Sequence, residues 1–157
     1  MNVSYKWGGF SRKFAKFFYG TVCLKHTVPE RKSMETLSVA VNKVAEDVIH
    51  LHFLRENSTI ELSEVALGWN QVKSLCPNRN AFVLVQTAPW SLMEKEAREY
   101  ITAQWGEWPA VAVVVYTSAQ KIFAQVATRA AGLSETVRIF DDMDSAFRWF
   151  DEIRQTA

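Results

Sequence analysis

Three groups of residues carry side chains that could do chemistry. The first is His50-x-His52, set in a run where Ile49, Leu51 and Phe53 alternate with the two histidines. The two-residue period of a strand puts both imidazoles on one face, about 7 Å apart, a spacing that can chelate a metal. The sequence offers no third ligand at a suitable spacing, so the plain expectation is two ordinary histidines on the less buried face of a half-buried strand. The second group is Asp141, Asp142 and Asp144, at the passage from a strand to a helix. Carboxylates there can hold Mg²⁺, but with Asp144 as N-cap and the others beside the first turn they already answer the helix dipole. The third is Thr117-Ser118, which opens a helix whose free amides could receive an anion. No glycine-rich loop lets a phosphate approach there, and the nearby aspartates would repel it.

Nucleophilic catalysis fares no better. Ser118 lacks a G-x-S-x-G elbow, Cys76 precedes Pro77 at the end of a helical run, and the histidines of the domain lie on a different strand. We therefore expect no catalytic residue, no metal and no cofactor.

The elements that would position these residues follow from periodicity. Leu37, Val39 and Val41 suit a first strand and Asp47 to Arg55 a second. Leu62, Val65, Trp69 and Val72 recur at helical spacing until Cys76-Pro77-Asn78. Phe82 to Val85 and Ala110 to Tyr116 are continuous apolar runs, the mark of strands covered on both faces. Ser91-Leu-Met-Glu94 reads as a capping box that starts a helix at about Leu92. Its buried stripe is Met93, Ala97, Tyr100, Ile101 and Trp105, its wet side pairs Glu94 with Arg98 and Lys95 with Glu99, and Gly106 closes it in a left-handed cap. A third helix runs from Thr117-Ser118 to Gly132, Val137 to Phe140 is the last strand, and a terminal helix turns Phe147, Phe150 and Ile153 inward. The order is β-β-α-β-α-β-α-β-α. Strands joined through single helices become parallel neighbours, and the first two can form an antiparallel hairpin. The expected fold is α/β, a mixed five-stranded sheet, mostly parallel, with four helices.

In such a sheet the carboxyl ends of the parallel strands share one edge, where ligands bind in open α/β folds. Thr87 to Ser91, Thr117 with Ser118, and Asp141 to Asp144 should meet there. Trp90, Trp105 and Trp108 bracket one helix and, if exposed together, would make an aromatic partner or dimer surface. The candidate surface is thus Trp90, Ser91, Glu94, Trp105, Trp108, Thr117, Ser118, Asp141 and Asp142.

The element order, together with Ala110-Val-Ala-Val-Val-Val-Tyr-Thr-Ser-Ala-Gln-Lys, Val137-Arg-Ile-Phe-Asp-Asp, Ser145-Ala-Phe-Arg-Trp-Phe and Met93-Glu-Lys-Glu-Ala-Arg-Glu-Tyr, resembles the SpoIIAA-like, or STAS/SEC14-like, small bacterial proteins over residues 35–155. The resemblance implies a regulatory or protein-interaction module, with binding of a small apolar or lipid ligand as the alternative and a hydrolytic enzyme as a minor one. Anti-sigma-factor antagonists of that group carry a phosphorylatable serine in an Asp-Ser-Ser/Ala-Gly turn. Here the turn reads Pro89-Trp-Ser-Leu-Met-Glu-Lys-Glu, with Glu94 near the serine position and no glycine. The usual phosphorylation switch is not expected.

The chain's 157 residues suffice for one domain with its own core. Residues 1–33 stand apart, with seven basic side chains against one acidic, a charge of +6, whereas residues 34–157 carry eleven basic and sixteen acidic, or −5. A body at −5 repels phosphate backbones, so nucleic acid is excluded as a partner. In the basic segment Trp7, Phe10, Phe14 and Phe17 fall near one helical stripe with Lys6, Lys13 and Lys16 mostly off it, a pattern suited to weak contact with an anionic membrane surface. The equal alternative is that Met34 rather than Met1 is the true start. Only Cys23 and Cys76 occur, and the longest apolar run, Ala110 to Tyr116, is far shorter than a membrane span. A cytoplasmic protein is expected.

Overall fold

The structure is a computed structural model, and it describes residues 38–156. The basic extension read over residues 1–33, with its membrane-surface expectation, lies outside the described residues. The elements are β1 (Val39–Ala45), β2 (Val48–Phe53), β3 (Thr59–Ile60), α1 (Leu62–Leu75), β4 (Phe82–Gln86), β5 (Leu92–Met93), α2 (Lys95–Trp105), β6 (Val111–Val114), α3 (Ser118–Ala130), β7 (Val137–Phe140) and α4 (Met143–Thr156). The main sheet has the order β1-β2-β4-β6-β7, with β1 and β2 an antiparallel hairpin and the remaining pairs parallel. This is the mixed five-stranded α/β sheet with four helices that the periodicity predicts.

One face of the sheet carries Ile49, Leu51, Val83, Val85, Val111 and Val113, packed with Val65, Trp69 and Val72 of α1 and Ala97, Ile101 and Trp105 of α2. The opposite face carries Val48, Phe82, Leu84, Ala112 and Val114, covered by Ala146, Trp149 and Phe150 of α4. Because β2 lies inside the sheet, Val48 to Leu51 are buried on both faces, and the half-buried strand expected there is corrected. Helix α1 approaches the hairpin closely. A Cβ on Gly68 would stand 2.7 Å from Leu51 Cδ1 and 3.0 Å from Val39 Cγ2.

Four local readings are overturned. Leu92–Met93 is not a first helical turn but strand β5, paired in parallel with β3 in a separate two-stranded ribbon, and α2 begins at Lys95. The ribbon's backbone bonds, Leu92 N–H to Ser58 O at 3.0 Å and Glu94 N–H to Ile60 O at 3.1 Å, outcompete the capping box. Met93 therefore lies off α2, whose buried residues are Ala97, Ile101, Thr102 and Trp105. Gly106 ends α2 with φ −63°, right-handed, so that any residue could adopt this backbone, whereas Gly132 after α3 does take a positive φ of 69°. At α4 it is Asp142, not Asp144, that caps, accepting from Ser145 N–H at 2.7 Å and from its hydroxyl at 2.8 Å.

Candidate functional site

Helix α3 sits on the sheet in an unusual way. Its inward stripe is Gln120, Ala124, Ala127 and Thr128, small or polar residues, while Ile122, Phe123 and Val126 are 59%, 44% and 60% exposed. At 100° per residue Ile122, Val126, Ala119, Ala130 and Phe123 fall within one arc of the helix, so they form a continuous outward apolar ridge. No residue of α3 belongs to either described core cluster.

Polar bonds hold the helix where apolar burial does not. Thr117 and Gln120 form a capping box, with Thr117 Oγ1 accepting from Gln120 N–H at 3.2 Å and Gln120 Oε1 accepting from Thr117 N–H at 3.1 Å. The same Oε1 accepts from Tyr116 N–H at 2.9 Å, and Nε2 donates to Ala88 O at 2.8 Å and Ser91 O at 2.7 Å. One buried amide thus ties the start of α3 to the loop after β4. Periodicity alone leaves Gln120 unremarked, yet Thr117-Ser-Ala-Gln120 is a sequence-level capping-box pattern that could have found it.

The carboxyl edge gathers most of the expected residues. Ser91 is buried, its hydroxyl donating to Ala88 O at 2.7 Å. Lys121 Nζ meets Asp141 at 2.7 Å and so links α3 to the end of β7. Ser118 is exposed in the first turn of α3. Glu94 does not pair with Arg98. Its carboxylate accepts from Leu62 N–H at 2.7 Å, at the start of α1. Arg98 instead donates to Met93 O and places its guanidinium 5.1 Å over the Phe123 ring, while Lys95 and Glu99 make the expected pair at 3.7 Å.

The three tryptophans do not share a surface. Trp105 and Trp108 are 4% and 3% exposed, Trp105 because it lies on the inward stripe of α2 and Trp108 because it packs edge-on against Trp69 at 5.8 Å. Trp90 is 70% exposed and takes a left-handed φ of 58°, next to the residue that Gln120 holds. The surface at this edge is therefore Trp90 with Tyr116, Leu92 and the α3 ridge, all exposed.

The histidine pair lies on the α4 face. Its rings stack at 5.4 Å with planes 15° apart. Imidazole lone pairs lie in the ring plane, so stacked rings aim them side by side rather than at one ion, and no group of three or more metal-ligating side chains exists among the described residues. His50 Nε2 is bonded to Gln86 Oε1 at 2.8 Å, and Gln86 Nε2 donates to Tyr116 Oη. Burial, with a smaller effect of His52, pushes the His50 imidazole down to about 4 against the bond to Gln86, and burial also lowers His52. Both rings are neutral near pH 7. Asp142 lies below the usual carboxylate range because of the Ser145 bonds. Cys76 is a free thiol whose Sγ contacts Asn80 Oδ1 at 3.1 Å, away from this edge.

Two depressions accompany these surfaces. An apolar cleft of about 60 Å³ runs under α3 between Val85, Ile101, Trp105, Val113 and Phe123. A polar groove of about 440 Å³ opens near Lys43, Glu46, Asp47, Cys76 and Asn78. Fold and site together define a mixed α/β domain with a polar-anchored helix that turns an apolar ridge outward. The chain belongs to the family described as Domain of unknown function (DUF7793), whose model matches residues 43–154. No curated protein and no solved structure matches it.

Proposed function

We propose that this chain is a non-catalytic protein-interaction module of STAS-like type, working through α3 and Trp90 at the carboxyl edge of the sheet. One observation carries the reading: α3 exposes Ile122, Phe123 and Val126 and buries only the polar Gln120 and Thr128, the reverse of what a helix closing its own core would do. A regulatory role and a cytoplasmic setting belong to the same proposal, in keeping with a free Cys76 and with the absence, among the described residues, of a helix long and apolar enough to cross a membrane.

Binding of a small apolar ligand is less well supported. A drug-sized ligand needs several hundred Å³ of largely apolar space. The apolar cleft offers about 60 Å³, well short of that, and the larger groove is open and polar. The test is quantitative affinity purification of the full chain from its own cell beside Val126→Asp, with thermal melts to show that both are folded. Proteins retained by the wild type should fall at least tenfold with the variant. Equal recovery of every protein by both would end this reading. Trp108→Ala would be a poor control, because Trp108 is a core residue.

A further inference from the structure

The ridge on α3 is bordered by positive charge on both sides. Arg129 follows Ile122 and Val126 at spacings of seven and three, which places it on the same exposed face. Across the ridge, Arg98 lays its guanidinium over Phe123. Neither arginine takes part in an ion pair among the described residues. Helix α3 itself contains no acidic residue, and its lysine, Lys121, is already neutralised by Asp141. An apolar stripe about three turns long, one helix wide and flanked by two guanidinium groups has the shape and charge of one half of a helix pair.

We propose that the occupant of this ridge is an acidic amphipathic helix of another protein, its apolar residues set against Ile122, Phe123 and Val126 and its carboxylates against Arg98 and Arg129. The inference rests on the docking reading above and names its partner's chemistry. A second copy of this chain fits worse, because α3 set on α3 offers no carboxylate of its own to either arginine. An anionic membrane also fits worse. Two unpaired arginines beside the ridge fall short of the cluster of about four to eight basic residues that anionic lipid attracts. A carboxylate-flanked helix meets the two arginines beside the ridge, neither of which is in an ion pair among the described residues.

The experiment is site-specific photo-crosslinking from the full chain in its own cell, with p-benzoylphenylalanine at Ala130, an exposed position on the ridge. The expected adduct is a peptide of another protein with apolar residues three or four apart and Asp or Glu on both sides. Its yield should fall at least fivefold with Arg129→Glu and return with Arg129→Lys, while the melts stay unchanged. A protein adduct whose flanks are neutral or basic would overturn the acidic partner and leave the docking reading standing. Adducts with lipid or with a second copy of this chain would overturn it too, and the absence of any adduct would overturn both.

Discussion

Trp90 combines two features that rarely coincide. A left-handed backbone costs a residue with a Cβ about 1–2 kcal/mol, and a bulky aromatic left in water gains nothing to offset it. Trp90→Gly should therefore leave the domain as stable as before or more stable by up to about 1 kcal/mol, read by urea unfolding, while recovery of partner proteins falls. A marked loss of stability would mean that the indole supports the fold. His50 supplies the second test at this scale. Its folded-state value is depressed to about 4, so the unfolded chain takes up the proton first as the solution is acidified. The stability linked to neutral His50 is whole above the ordinary value of 6.5 and drains away as pH falls toward 4. Between pH 7.5 and 4.5 the wild type should lose about 2 kcal/mol for this reason, whereas His50→Gln, which keeps His52 but loses the His50 titration, should show a shallower slope. Asp47 and Asp142, both held below 3.8, do not confound that window, because what they add disappears only at lower pH.

At the scale of elements, α3 depends on Gln120. Gln120→Ala removes two acceptor and two donor bonds and leaves the Ser91 carbonyl and the Tyr116 N–H without these partners, although Ala88 O keeps the Ser91 hydroxyl, at a cost of about 3 kcal/mol. Hydrogen exchange should rise first at Tyr116 to Lys121, before the sheet is affected. A uniform rise would show that α3 is not anchored as described. The order of the long elements is legible because their periods are strong: alternation in β2, uninterrupted apolar runs in β4 and β6, and a 3.6-residue stripe in α1. That legibility ends where a distant element decides. Ser91 to Glu94 has a helix-start pattern, but Thr59–Ile60, more than thirty residues away, recruits Leu92–Met93 into a ribbon. The outward ridge was equally hidden, since Ile122 and Val126 at i and i+4 look like a core stripe until the polar bonds of Gln120 fix which side faces the sheet. Trp105 and Trp108 misled in the opposite direction, because composition cannot separate an interface tryptophan from a core one.

At the scale of the whole molecule the two faces of the sheet are unequally defended. Helices α1 and α2 pack one large core, and Gly68 lets α1 come against β1 and β2 so closely that Gly68→Ala should cost about 1 kcal/mol in unfolding free energy despite alanine's better helix propensity. The other face has α4 alone. That helix is held by Phe82 stacked on Phe150 at 5.0 Å, by Phe140 against Trp149 at 5.7 Å, and by Arg154, which grips Asp47 through bonds of 2.7 and 2.8 Å and lies over Phe82. With no second helix to share the load, Phe150→Ala should cost about 4 kcal/mol, lower the melting temperature steeply and expose a dye-binding apolar surface. Ile122→Ser on α3 removes a comparable apolar side chain but should change unfolding free energy by no more than about 0.5 kcal/mol, because its side chain already lies largely in water. Chemical unfolding of the two variants in parallel measures this contrast. Similar losses in both would mean that α3 closes the core after all, and its ridge would then be part of the fold rather than a surface kept for a partner.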